Sequence, residues 1–247
     1  MMGKLSLRSF VCGIGAFLLL WALAAHLLNI PVVPPPSEVF ARLAEKFTGV
    51  IAVHAGYSLM RIALGLSLAV AVGYPIGILM GYFPRVNRIL APMLYLAYPI
   101  PKIALLPVVM LLFGVGEAGK ILLIFLIIVF QVVVAVRDAT AGIPAATYEP
   151  LRVLGASFWQ MVRHIVLPAS LPKFITAVRI AMATAISVLF FTETFGTKYG
   201  IGYYIMDAWL RVNYLDMYAG IVTLSGIGLL LFALLDAAEH ILCRWKR

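Results

Sequence analysis

Long apolar runs alternate along this chain with short clusters of proline, glycine and charge. Each run is near the roughly 20 apolar residues that a helix needs to cross a bilayer, and too long for a buried strand. The pattern predicts six transmembrane helices, over about 9–29, 55–82, 89–113, 119–137, 173–195 and 217–241, in one all-α integral membrane domain spanning 1–247. Two polar inserts stand out. The first, Pro31 to Thr48, predicts a stiff proline segment, Ser37 as N-cap, and a helix with Val39, Phe40, Leu43 and Phe47 along one face. The second, Tyr148 to Pro172, reads YEPLRVLGASFWQMVRHIVLPASLP. Here Leu151, Val153 and Leu154 predict a short amphipathic helix from about Glu149, with Pro150 at its first position and Gly155 as a left-handed stop. A second short helix carries Phe158, Trp159, Met161 and Val162 into a break at Leu167–Pro168, with Arg163 and His164 toward water. The two helices present a knob for docking or lie passively on the lipid interface.

Inside the runs, small residues recur every fourth position at Gly65, Ala69, Gly73, Gly77 and Gly81, a strip that lets a second helix, of this chain or of another copy, approach closely. Pro75 predicts a kink in that helix. Pro99, Pro101 and Pro107 interrupt the third run, and non-helical backbone at membrane depth is tolerated only against protein or water, so this stretch is the expected translocation path. Lys102 lies within it, where an unpaired charge costs at least about 2.5–3.5 kcal/mol; it attracts an anion, is structurally paired, or reaches an interface. Glu193, at the outer end of the fifth run, gates the path or pairs locally. Arg61 snorkels outward or braces the outer loop. The loop from Glu193 to Asp216, with Gly196, Gly200 and Gly202, is a second surface that receives a soluble protein or rests on the membrane.

Composition narrows the class. With 64% hydrophobic and 12% charged residues and a mean hydropathy of +1.05, a soluble domain is excluded. The formal net charge of +9 is topological. With the N-terminus inside, Lys4, Arg8, Arg85, Arg88, Arg137, Arg152, Arg163, Lys173, Arg244, Lys246 and Arg247 are cytoplasmic. Only Arg42, Lys46, Lys120, Lys198 and Arg211 fall outside, so both termini are expected in the cytoplasm and no nucleic acid is implied. The first run continues through Ile30, too long for a cleaved signal core. Cys12 and Cys243 lack metal-ligand spacing and are expected as small core residues. No GxxxxGK[ST] or HExxH occurs and the four histidines are scattered, so no catalytic residue, metal site or phosphate-loop nucleotide site is assigned. An ion-coupled secondary transporter predicts inverted repeats, and an intramembrane enzyme predicts converging side chains; neither is evident.

Glu149, Gly155 six residues on, Ile165 ten further, then Leu167 and Pro168 resemble the EAA motif of permease subunits of ATP-driven importers, with Pro150 and Leu151 where two alanines are usual. The segments PPPSEVF, SLMRIALGL and YPIPKIALLPVVMLLFGVGEAGKI are similar to the nitrate/sulfonate/taurine branch. That branch commonly has a Glu at the position of Glu193 and an apolar residue or proline near Lys102. The resemblance implies a type I ABC importer permease fold with cytoplasmic coupling helices, and ATPase coupling through Glu149, Leu151, Gly155, Ala156, Ile165, Leu167 and Pro168. It also implies two ATPase subunits carrying ATP and Mg2+, a second permease copy in a homodimer, and an extracytoplasmic binding protein, in a bacterial or archaeal cytoplasmic membrane. The implied substrate is a small anion such as nitrate, a sulfonate, taurine or bicarbonate; the alternatives are a vitamin precursor or other small organic solute.

Overall fold

A computed structural model describes residues 7–246, which contain helices and turns and no strand. Lys4 and Arg247, both counted in the charge asymmetry, lie outside the described residues, as does the side chain of Lys246. Among the described residues, five helices are long and apolar enough to span a membrane, and a sixth crossing is available from one bent pair. Contacts group the chain into two compact units, Met1–Met60 with Leu189–Asp236, and Arg61–Val188 with Ala237–Arg247.

The first unit holds α1 (Leu7–Leu28), α2 (Pro36–Lys46), the start of α3 (Ala52–Tyr82), the end of α9 (Leu167–Glu193), α10 (Ile201–Leu210) and most of α11 (Tyr214–Leu242). Ser37 does not cap α2. Extended Pro35 precedes Pro36 at the first helical position, where proline's fixed φ starts the helix and its missing N–H is no loss. Nor is α2 a separate helix. A π-turn over Phe47–Ile51, closed by the Ala52 amide on the Phe47 carbonyl, carries it into α3. The result is one continuous 47-residue helix, Pro36–Tyr82. Val39 is buried and Leu43 packs on the core, whereas Phe40 and Phe47 are exposed. Ile51, Ile201, Tyr204, Ile205, Ala219 and Ile227 form the core. Asp216, in the first turn of α11, accepts from Arg42 Nε, Lys46 Nζ and Asn213 Nδ2, each at 2.8 Å. Helix α1 is held by Trp21, which donates to the Pro34 carbonyl at 3.1 Å and stacks on Tyr218; Ala25 is buried, and Phe17, Leu20, Leu23 and Leu27 face outward. Cys12 is on that exposed surface and so is not a core residue, while Cys243 is buried.

The second unit is built on α3 against α6 (Glu117–Ala141). A Cβ on Gly65 would lie 2.5 Å from Ile124 Cγ2, on Gly73 3.1 Å from the Val129 carbonyl, on Gly77 2.7 Å from Val136 Cβ, and on Gly81 2.5 Å from Thr140 Cβ. The glycine strip therefore meets a helix of its own chain. The pairing advances in step along both helices, so they run parallel. Arg61 near the other end closes the register, gripping Glu117 through Nε and Nη2 at 2.6 Å each. Parallel packing forces the intervening chain to return along the full paired length. That return is made by α4 (Pro84–Ala97) and α5 (Leu106–Phe113), which is preceded by a 3-10 turn over Lys102–Leu105; the two arms meet at 81°. The bent pair is thus a broken sixth crossing. Pro99 and Pro101 fall at the break, but Pro107 sits in the first turn of α5, where it fits without interrupting the helix.

Candidate docking and translocation sites

The segment between α6 and α9 forms an elbow. Helix α7 (Ala145–Val153) starts four residues before Glu149, behind extended Pro144, so Pro150 is inside the helix and not at its first position. Its missing N–H costs one bond, in a helix that is exposed over most of its length. Gly155 has φ +73°, and the Ala156 amide reaches the Leu151 carbonyl at 2.9 Å while the Gly155 amide reaches that of Arg152 at 3.0 Å. These two bonds satisfy carbonyls at the helix end and fix the turn. The next helix is set at once by a capping box, Ser157 Oγ accepting from the Gln160 amide and Gln160 Oε1 from the Ser157 amide. It does not stop at Leu167–Pro168. Beyond α8 (Phe158–Met161), a π-turn over Val162–Val166 accommodates Pro168 and leads into α9, giving one helix over Phe158–Glu193.

Aromatic contacts root the elbow at the end of α3. Tyr82 meets Tyr148 and Phe158 edge-on, with centroids 5.8 and 5.1 Å apart, and its hydroxyl contacts Met161 Sδ at 3.1 Å. Burial raises the pKa of the Tyr148 phenol. The tip faces outward, with Val153 87% exposed, Leu154 81% and Trp159 75%. Of the motif positions, Glu149, Gly155 and Leu167 are exposed, Leu151, Ala156 and Pro168 are half-buried, and Ile165 is buried in the unit's core. Three large apolar side chains are therefore left uncovered on one turn beside Arg152, an exposed apolar patch of the kind that marks an interaction site.

At the break in the sixth crossing, Lys102 Nζ donates to the carbonyls of Ala97 and Tyr98, at 2.7 and 2.6 Å, and lies 4.9 Å from the Phe130 ring centroid. It thereby caps the C-terminal end of α4, where carbonyls lack helical partners. Among the described residues it has no carboxylate partner; the two carbonyls and the Phe130 ring solvate its charge. A cavity of about 280 Å³ opens beside it, lined also by Tyr98, Pro101, Phe130, Gln131 and Thr184. Pro99 lies on a different, neighbouring cleft.

Glu193 belongs to the first unit and does not line the cavity that holds Lys102. Fully buried, it accepts from Ser58 Oγ at 2.8 Å and from the Gly202 amide at 2.8 Å, while Ser58 Oγ accepts from the Ile201 amide at 2.9 Å. The first amides of α10 are thus capped by a carboxylate and a hydroxyl, and His54 Nδ1 sits 3.1 Å from the Gly200 amide. Glu193 pairs locally and holds the start of α10. Sequence reading missed His54, the Ser58 role and Glu117 as the partner of Arg61; the pairs are far apart in sequence, and periodicity carries no signal for them.

Residues 73–247 match the family described as binding-protein-dependent transport system inner membrane component. The chain is 31% identical over 242 residues to a probable ABC transporter permease protein of Brucella abortus (strain 2308), covering 98% of this chain and 95% of that one. It is 32% identical over 232 residues to the taurine transport system permease protein TauC of Escherichia coli (strain K12), covering 91% and 84%. An inward-facing structure of the MetNI methionine ABC transporter shares the fold, with a TM-score of 0.65 at 21% identity over 78% of this chain and 94% of that one. The membrane-spanning helices, the parallel α3–α6 packing and these matches together make this chain a multi-pass member of the inner-membrane permease family of ABC transporters.

Proposed function

We propose that this permease imports a small anion, with the elbow at 145–168 docking a separate ATPase that supplies the energy. The observation that carries the reading is the rigid, apolar, outward tip formed by Val153, Leu154 and Trp159. Two copies of the chain pair, each elbow engages one ATPase subunit carrying ATP and Mg2+, and both termini lie in the cytoplasm. On the opposite side an extracytoplasmic binding protein delivers the solute. ATP-driven closure of the ATPases draws the elbows together and turns an inward-open path outward. The ammonium of Lys102, without a carboxylate partner among the described residues and beside Gln131 and Thr184, supports an anionic group on the cargo, as does similarity to a taurine permease, whose solute carries a sulfonate. Tyr98 and Phe130 in the same cavity favour, as a second reading, a flat organic solute such as a vitamin precursor.

Co-purification tests the docking. Leu154→Asp places a charge at the tip without touching the core, and loss of the ATPase from a permease that still inserts and pairs is the expected result. Full retention of the ATPase with Leu154→Asp and with Trp159→Asp would remove the elbow from the interface.

A further inference from the structure

A second cleft in the Arg61–Val188 unit is not used by the import reading. It has a volume of about 760 Å³ and runs along α4 from Asn87 and Arg88 to Tyr98 and Pro99, with Val134 and Arg137 of α6 on its other side. Its two ends differ in chemistry. Arg88 is exposed and makes no ion pair among the described residues. Arg137 directs Nε and Nη2 to one oxygen of Asp138 at 2.8 Å, which leaves Nη1 uncommitted to that pair. Beyond these two residues the lining becomes apolar and aromatic through Pro92, Leu94 and Tyr95. The Oδ1 of Asn87, at the basic end, is closed off from solvent and has no hydrogen-bond partner.

Length and chemistry together select the occupant. From Arg88 to Pro99 a helix rises about 16 Å, close to half of the roughly 30 Å hydrocarbon core of a bilayer. The cleft therefore extends over one leaflet, with its guanidinium groups at the same end of the unit as the elbow. A hydrated inorganic anion has no use for the apolar remainder, and a plain hydrocarbon chain has no use for the arginines. We infer that this cleft binds one anionic phospholipid, its phosphate on Arg88 and Arg137 and an acyl chain along Leu94, Tyr95 and Pro99. A headgroup bearing hydroxyls, as in phosphatidylglycerol, also offers a donor to Asn87 once its amide turns toward the cleft. Basic pockets between membrane helices are established sites for such headgroups.

The test is native mass spectrometry of the full-length protein released from micelles containing equal amounts of phosphatidylglycerol and phosphatidylcholine. Phosphatidylglycerol adducts should dominate. Arg88→Gln should reduce them about fivefold and the Arg88→Gln/Arg137→Gln double variant at least roughly tenfold, following the contribution of each basic residue near a charged membrane surface. Ala91→Trp, which fills the cleft and keeps both arginines, should remove them as well, while Lys102→Gln should not. Equal binding of the two lipids would overturn the assignment. So would adducts that survive Ala91→Trp, since charge alone would then explain them. Displacement of the lipid by millimolar taurine or nitrate would make the cleft a solute vestibule, and loss of pairing between copies in the double variant with adducts retained would make it a subunit interface.

Discussion

At Gly155 an added Cβ would meet nothing within 4 Å, so this glycine is required for its φ of +73° alone. Gly155→Ala should therefore cost about 1–2 kcal/mol through left-handed strain, and Gly155→Asn markedly less, read as thermal stability and ATPase retention. A steric clash would instead make Asn worse than Ala. Gly77 is the opposite case. Its Cβ would lie 2.7 Å from Val136 Cβ and 2.9 Å from the Val133 carbonyl, so Gly77→Leu should separate α3 from α6 and cost at least about 1–3 kcal/mol as overpacking. Leu79, 39% exposed, should tolerate glycine with a loss of about 1 kcal/mol in helix propensity. Equal melting of Gly77→Leu and Leu79→Gly in detergent would contradict the packing. Glu193→Leu leaves Ser58 and the Gly202 amide without their acceptor, which should cost about 1–3 kcal/mol and speed hydrogen exchange at the start of α10. Unchanged exchange there would show that the carboxylate does not hold the loop.

At the scale of helices, the break between α4 and α5 makes the most exposed claim, that water reaches backbone inside the bilayer. Ile100→Cys and Ile103→Cys, both on the cavity beside Lys102, should react with a small water-soluble thiol reagent, and the rate should change when ATP is trapped on the partner. Unreactive cysteines in every state would mean packed core. The crossings were legible in the sequence because apolar runs announce them, and Pro99 and Pro101 announced the break. What escaped was continuity. The π-turns at Phe47–Ile51 and Val162–Val166 have no compositional signature, and Pro168 reads as a helix stop unless the wider turn beside it is known. Pro107 misled in the same way, since proline in a first turn and proline in mid-helix are the same letter. The glycine strip was legible as a packing face, but its partner α6 emerged only from the fold.

For the whole molecule, side-chain chemistry divides by place. Some charges are held in ion pairs, as in Arg61–Glu117, Arg42–Asp216 and Arg179–Glu239; the elbow presents an uncovered apolar tip, and Lys102 is a cation solvated by carbonyls. Residue types alone did not separate these roles; Lys102 and Glu193 both read as path residues, and of the two Lys102 lines the cavity at the break while Glu193 is buried and hydrogen-bonded to Ser58 and the Gly202 amide. The central claim is that import through this chain is driven by ATP on a partner docked at the elbow. The direct measurement is solute uptake into proteoliposomes containing the permease, its ATPase and the binding protein, with a panel of taurine, nitrate and bicarbonate. The account predicts uptake of an anion that requires ATP, is lost in Leu154→Asp, and is reduced in Lys102→Met with ATP hydrolysis preserved. Uptake by the permease alone under a proton gradient, indifferent to ATP and to Leu154→Asp, would contradict it.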